Sequence, residues 1–349
     1  MAISLRIESL RETLSLLSPL ASWKVLVLLL AITNLKNLPL AWHVRLLYRF
    51  IVNLRLRPNA PLFPAGRVIA DAKGRPTHPV FVPSIISSRT PLMETDYNLH
   101  KSNSTYFTDL DESRTALVTR LYSPGVGLTS KALDEEFLET EKNQPGEKSE
   151  KRERLPKKAF LSVLLGSVYC SFKREIKPLE RYEIESRVIA WDQKWLYIAS
   201  FFVRPARRPG GQKSLLASAI SKYVAKKGRL TVSPERILRT SGFLPPRPAT
   251  EESGGEDSSD TPGVSTPATG EGITATADSV DGSLARQVLQ LADGEIPAQA
   301  VLEADQKANA ASWDPAEWTW ERIEQERRRG LEVVQSYAGL DDQLHREWE

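Results

Sequence analysis

The chain has 349 residues, 41% of them hydrophobic, and its 47 Lys and Arg against 44 Asp and Glu give a formal net charge of +3. That length holds one large or two small domains with a real core, and so small a charge excess argues against nucleic acid as a partner. A single cysteine, Cys170, excludes an intrachain disulfide, and there is no zinc-spaced Cys/His cluster, P-loop or nucleotide-binding glycine fingerprint, so no metal and no cofactor are expected.

Residues 1–57 read as membrane-anchoring helices. The first 18 mix apolar residues with Arg6, Glu8, Arg11 and Glu12, which suits a short amphipathic surface helix. Leu20 to Leu35 is almost wholly apolar, broken by Lys24. As a helix it reaches about 24 Å, short of the roughly 30 Å hydrocarbon core, so spanning is marginal. Leu38 to Leu56 carries Arg45 and Arg49 one turn apart, Arg55 behind them, and Trp42 and Tyr48 as interface-type aromatics. It reads as a basic helix along a membrane surface, with the body of the protein on the cytosolic side. Glu8 and Glu12, where a signal peptide needs positive charge, argue against secretion. Two buried helices of a soluble domain are the alternative. Residues 58–77, punctuated by Pro58, Pro61, Pro64, Gly66, Gly74 and Pro76, form a linker.

Residues 78–242 read as the globular domain. Val80 to Met93 has the content of a strand, with Pro83 and Pro91 limiting its pairing. The polar stretch Glu94 to Arg114 then runs into a helix that starts near Asn103 and Ser104, with Tyr106, Phe107, Leu110, Leu117, Val118 and Leu121 as its apolar stripe. Ser123-Pro124-Gly125 predicts its end near Tyr122. Residues 134–158 are a charged, solvated insertion. Strands follow over Phe160–Phe172, over Tyr182–Ala190, where apolar and small residues alternate with charged ones, and over Leu196–Val203, buried on both faces. For Leu215–Ala225 a strand is favoured over a helix. Residues 243–282 have a composition too poor in apolar residues to offset chain entropy and are expected to be disordered. Residues 283–349 are a helical segment with helices over Ser283–Leu291 and Trp313–Tyr337, the second opened by Asp314 and Pro315 and closed before Gly339. Trp313, Trp318 and Trp320 should dock it on the domain; a partner protein is the other candidate.

Strand, polar loop, long helix and antiparallel strands is the element order of the hotdog fold, an α+β architecture in which an antiparallel sheet wraps a central helix. The run Asp96-Tyr-Asn-Leu-His100-Lys-Ser-Asn103-Ser-Thr-Tyr106 resembles the pattern D-x-x-G-H-x-N-N-x-x-Y of hotdog thioesterases of the 4-hydroxybenzoyl-CoA type, with Asp96, His100, Asn103 and Tyr106 in register. Leu99 replaces the glycine and Ser102 the first asparagine. With its apolar N-terminus and Trp-rich C-terminus the chain is similar to fungal thioesterase-like proteins of secondary metabolism and, more distantly, to the thioesterase superfamily member six group.

The resemblance implies hydrolysis of acyl thioesters, on coenzyme A or a carrier protein, by a homodimer. Asp96 would activate water or attack directly, His100 would support it, and N–H groups at the helix start near Asn103 and Ser104 would stabilise the oxyanion. Glu112 and Arg114 fall where the family often carries an acid and a basic residue on the helix, and Ser104 and Glu112 would contact the substrate. Arg204, at a strand end, could meet coenzyme A phosphates, a solvated basic turn being the other account. The absence of G-x-S-x-G argues against a serine-type thioesterase. The rival reading is a non-catalytic acyl-binding or scaffolding hotdog protein at a membrane, suggested by Leu99.

Overall fold

The computed structural model describes residues 22–53, 76–143, 161–206, 208, 211–228, 230–246, 248 and 299–348. The expected surface helix over 1–18, almost all of the 58–77 linker, the later part of the charged insertion, nearly all of 243–282 and the helix over Ser283–Leu291 lie outside them.

The N-terminal unit is a pair of short helices, α1 (Trp23–Thr33) and α2 (Ala41–Ile51), joined through a 3-10 turn over Leu35–Asn37. Ser22 caps α1 by accepting from the Val25 amide. No residue of α1 is buried: Leu26, Val27, Leu28, Leu29, Leu30 and Ile32 are all exposed. Among the described residues no helix is long and apolar enough to cross a membrane.

β1 (Ser84–Arg89) occupies the middle of the stretch expected to be one strand; Pro79–Phe81 and Leu92–Glu94 on either side are 3-10 turns, since Pro83 and Pro91 interrupt the ladder. The long helix α3 (Thr105–Asn143) follows, then β2 (Leu161–Phe172), β3 (Arg181–Trp191), β4 (Trp195–Arg204), β5 (Ser214–Lys227) and β6 (Leu230–Val232). The strands form one antiparallel sheet in the order β1-β3-β4-β5-β2, with β6 paired to β5. Leu110, Leu117 and Leu121 of α3 pack on Ile184, Val188, Ile198 and Phe202, which is the hotdog arrangement of a sheet against a central helix. Phe107, expected in that stripe, is exposed.

Helix α3 does not stop at Tyr122. Pro124 lies inside it, and Leu121, Tyr122 and Leu133 on either side are all buried. The Pro-Gly pair is a packing site: a Cβ on Gly125 would sit 2.4 Å from the Ile237 carbonyl of α4 (Pro234–Thr240), so only glycine lets the two helices approach. Burial overrides the local breaker.

β3 alternates as expected from Tyr182 to Val188, which face α3. A bulge then inserts one residue, Ile189, between the pairs Val188–Ile198 and Ala190–Tyr197. The phase flips, and Ala190 packs on the opposite face with Tyr197 and Val334. That face is covered by α6 (Trp320–Trp348), preceded by α5 (Gln299–Ala310). Gly330 of α6 sits against the bulge so closely that a Cβ would lie 1.7 Å from the Ile189 carbonyl. The second C-terminal helix therefore starts at Trp320, six residues after Asp314, and continues past Gly339; Asp314 instead opens a turn, accepting from the Ala316 and Trp318 amides. Docking of this segment is as expected: Trp313 Nε1 donates to the Gly242 carbonyl at 3.0 Å, and Asn309 Nδ2 to the Ser241 carbonyl at 2.9 Å. Phe243 and Leu244, assigned from sequence to the disordered stretch, are buried in the core beneath it.

His78 joins the domain to that segment. Its ring lies edge-on to Trp313 and Trp318, its Nδ1 accepts from the Val80 amide, and burial pulls its pKa from 6.5 down to about 3. A histidine buried neutral stabilises the fold fully above pH 6.5, and this contribution is lost as pH falls from 6.5 towards 3, at up to about 1.4 kcal/mol per pH unit. A urea-denaturation series between pH 7.5 and 5 should show that slope, and His78→Asn, which keeps an acceptor without titrating, should flatten it.

Candidate active site

The polar stretch after β1 folds as a small hairpin. Thr95 and Lys101 form an isolated antiparallel bridge, the Asp96 amide donates to the His100 carbonyl at 3.0 Å, and the Leu99 amide closes the turn on the Asp96 carbonyl at 3.0 Å. At its base the Ser102 amide donates to the Glu94 carbonyl at 2.7 Å and the Lys101 amide to that of Ile176 at 2.8 Å. The hairpin thus delivers the chain directly into the first turn of α3.

Leu99 has φ of 60°, the left-handed conformation that glycine would adopt freely. The turn that the missing glycine implied is kept, and because Leu99 is 74% exposed its Cβ costs backbone strain without a clash. Leu99→Gly should relieve about 1 kcal/mol of that strain, seen as a higher urea midpoint, with turnover unchanged.

Asp96 is half-buried. Its Oδ1 accepts from the Asn98 amide at 2.9 Å and lies 3.4 Å from His100 Nδ1, so the two side chains expected to cooperate are adjacent. Asn103 is exposed, and among the described residues its side chain makes no hydrogen bond; Ser104 Oγ lies 3.2 Å from Ser102 Oγ. The Thr105 amide bonds the Ser102 carbonyl at 3.0 Å, whereas the Tyr106 and Phe107 amides make long bonds, 3.4 and 3.3 Å, to the Asn103 and Ser104 carbonyls, so these two N–H groups of the first turn of α3 are held loosely.

The other two expected residues sit elsewhere. Glu112 is buried and ion-paired to Arg45 and Arg49 of α2, with Arg49 Nη2 at 3.0 Å. A carboxylate buried there needs cationic partners, so the two arginines face α3 and not a membrane surface. Arg204 pairs with Glu180 and donates to the Glu175 carbonyl at 3.1 Å. Arg114 lies under the sheet, bonded to Ser221 Oγ at 2.8 Å and to Asp111. Tyr106 is core, with its ring against Phe172 and Phe202.

Beneath the hairpin lies a group of charges that sequence reasoning missed. Glu94 and Lys101, the two residues flanking its base, point inward to meet Asp109 of α3, and Lys36 of the α1–α2 turn completes a neutral quartet. Lys36 Nζ lies 2.5 Å from Asp109 and 3.0 Å from Glu94, and Lys101 Nζ lies 3.0 Å from Asp109. The Tyr182 hydroxyl donates to Asp109 and accepts from Lys36 at 3.2 Å. Burial pushes the Asp109 pKa up, but the two ammoniums and the bonds from Lys36 and Tyr182 outweigh it and hold the carboxyl below its ordinary value. The available clue was Asp109 itself, one residue before Leu110 and three after Tyr106, a charge next to the buried stripe.

Over residues 90–233 the sequence matches the thioesterase-like superfamily. It is 40% identical over 335 residues to thioesterase lcsJ of Purpureocillium lilacinum, covering 93% of this chain and 92% of that protein. It is 39% identical over 239 residues to thioesterase poxG of Penicillium oxalicum, covering 64% and 71%. Among solved structures, gentisyl-coenzyme A thioesterase BH1999 aligns with 45% of this chain and 98% of its own at 15% identity and a TM-score of 0.29.

Proposed function

The chain belongs to the thioesterase-like superfamily, and on that premise we propose that it hydrolyses acyl thioesters, with Asp96 as the base. The observation that carries the reading is the hairpin: a half-buried carboxylate, aligned by His100, rides on a turn that leads straight into the start of a long helix. Asp96 takes a proton from water as the water oxygen attacks the thioester carbonyl. The oxyanion forms opposite the loosely held N–H groups near Asn103 and Ser104, and collapse expels the thiolate, which takes the proton back from Asp96, leaving a carboxylic acid and a thiol. His100 holds Asp96 in orientation. The acyl group is carried on coenzyme A or a carrier protein. Thiol release from acyl-CoAs of several chain lengths tests the reading: no release above the uncatalysed rate for any of them, or for the corresponding carrier-bound chains, would leave an acyl-binding protein.

Two features support the setting of the reaction. β2, twelve residues long, is an edge of the sheet with Leu165, Tyr169 and Phe172 exposed, which suits pairing with a second copy; light scattering should give the mass of a dimer. The bare apolar surface of α1 suits insertion into a membrane face. Its 11 residues, about 16 Å long, would lie in the interface and not span it. The protein should float with phosphatidylcholine vesicles, and Leu26→Glu with Leu29→Glu should abolish flotation.

A further inference from the structure

The N-terminal helix pair lies outside the matched residues 90–233, yet its connecting turn grips the candidate catalytic hairpin at two points. Asn34, 2% exposed, accepts the Met93 amide on Oδ1 at 2.7 Å while its Nδ2 donates to the Leu30 carbonyl at 2.7 Å. Lys36 reaches the carboxylates of Glu94 and Asp109 and the Tyr182 hydroxyl. Glu94 is two residues from Asp96 and bonds across the hairpin base to Ser102. We infer that Lys36 is a positioning residue for catalysis: supplied from outside the thioesterase domain, it neutralises the carboxylates under the hairpin and so sets where the Asp96 carboxylate stands.

The charge balance gives the reason. Among the described residues, without Lys36 the buried group holds Glu94 and Asp109 against Lys101, with Arg45 3.9 Å from Asp109 and Tyr182 as a neutral donor. An uncompensated buried carboxylate either draws a proton or moves towards water. Movement of Glu94 is felt directly by the hairpin, because the Glu94 carbonyl accepts the Ser102 amide across the hairpin base. A shift of about 1 Å at a reacting group costs on the order of 10²-fold in rate.

The inference rests on Asp96 being the base, and its test separates the two ideas. Lys36→Met should lower kcat by about 10²-fold at neutral pH with KM unchanged. It should also recover activity as pH is lowered and the carboxylate pair takes up a proton, adding a descending limb to the pH profile that wild type lacks. Lys36→Arg should restore most of kcat. Independently of any substrate, hydrogen exchange in Lys36→Met should speed up at the Asp96, Leu99, Lys101 and Ser102 amides while β4 and β5 keep their protection. Lys36→Gln, which removes the charge and keeps a polar group that can bond Glu94 or Tyr182, should act in the same direction with a smaller loss; it carries the test if Lys36→Met does not fold. Hairpin exchange at the wild-type rate in a folded Lys36→Met or Lys36→Gln protein, or a kcat loss that is the same at every pH, would overturn the inference. Faster hairpin exchange with no thiol release by wild type would uphold the seat of the hairpin and overturn the assignment of Asp96.

Discussion

Asp96→Asn is expected to lower kcat for thioester hydrolysis by 10²- to 10⁴-fold, the usual range for removing a general base, with little change in KM or stability. The amide keeps an oxygen for the Asn98 N–H and fits the same turn, so the hairpin survives, but it cannot accept a proton from water. His100→Ala should cost less, because in the proposed mechanism His100, 3.4 Å away, only orients the carboxylate and Asp96 takes the proton from water. Single-turnover thiol release, measured beside wild type, gives both numbers. An Asp96→Asn enzyme as fast as wild type would move the base elsewhere and remove the reason for reading the hairpin as the active site.

Replacing Asp109 by alanine should be the most destabilising single change near the site. Its carboxylate is fully buried and partners Lys36, Lys101 and Tyr182 at once. With it gone, the buried Lys101 ammonium and the partly buried one of Lys36 are left with the Glu94 carboxylate among the described residues. Breaking a buried ion pair from one side costs about 3–5 kcal/mol, a large fraction of the 5–15 kcal/mol that holds a typical domain folded. The urea midpoint should fall steeply with the slope unchanged. The pH dependence has a defined sign: because the Asp109 pKa is held below its ordinary value, its contribution is complete above that value and is lost as pH falls through the depressed one. Above pH 5 the loss in Asp109→Ala should therefore not depend on Asp109 titration.

Much of this was legible in the sequence because the relevant patterns are local. Alternation located β3, a continuous apolar run located β4, apolar spacing located the start of α3, and eleven consecutive positions carried the Asp96–Tyr106 resemblance. What was not legible depended on residues far apart in the chain. Arg45 and Arg49 looked like membrane-facing cations because their partner, Glu112, lies more than 60 residues away. Pro124 and Gly125 looked like a terminator because α4, which needs the gap that Gly125 leaves, comes later. Lys36 drew no notice between two apolar runs, since only the fold places Glu94 and Asp109 around its ammonium. The bulge at Ile189 has no strong signature, and it alone moves Ala190 from one face of the sheet to the other. Leu99 was the opposite case: a departure in composition that the backbone absorbs by taking the glycine conformation itself.

The sheet carries apolar side chains on both faces, and α6 covers the one that α3 does not. A polypeptide trimmed to the matched residues 90–233 would present Ala190, Tyr197 and Ile220 bare to water, lose His78 and Val80 from its core, and keep Glu94 and Asp109 with one ammonium between them. The limits of the matched thioesterase-like stretch are narrower than the limits of the packed core, which takes in residues on both sides of it in sequence. Proteolysis that removes either flank should therefore release an aggregating remnant instead of a minimal thioesterase.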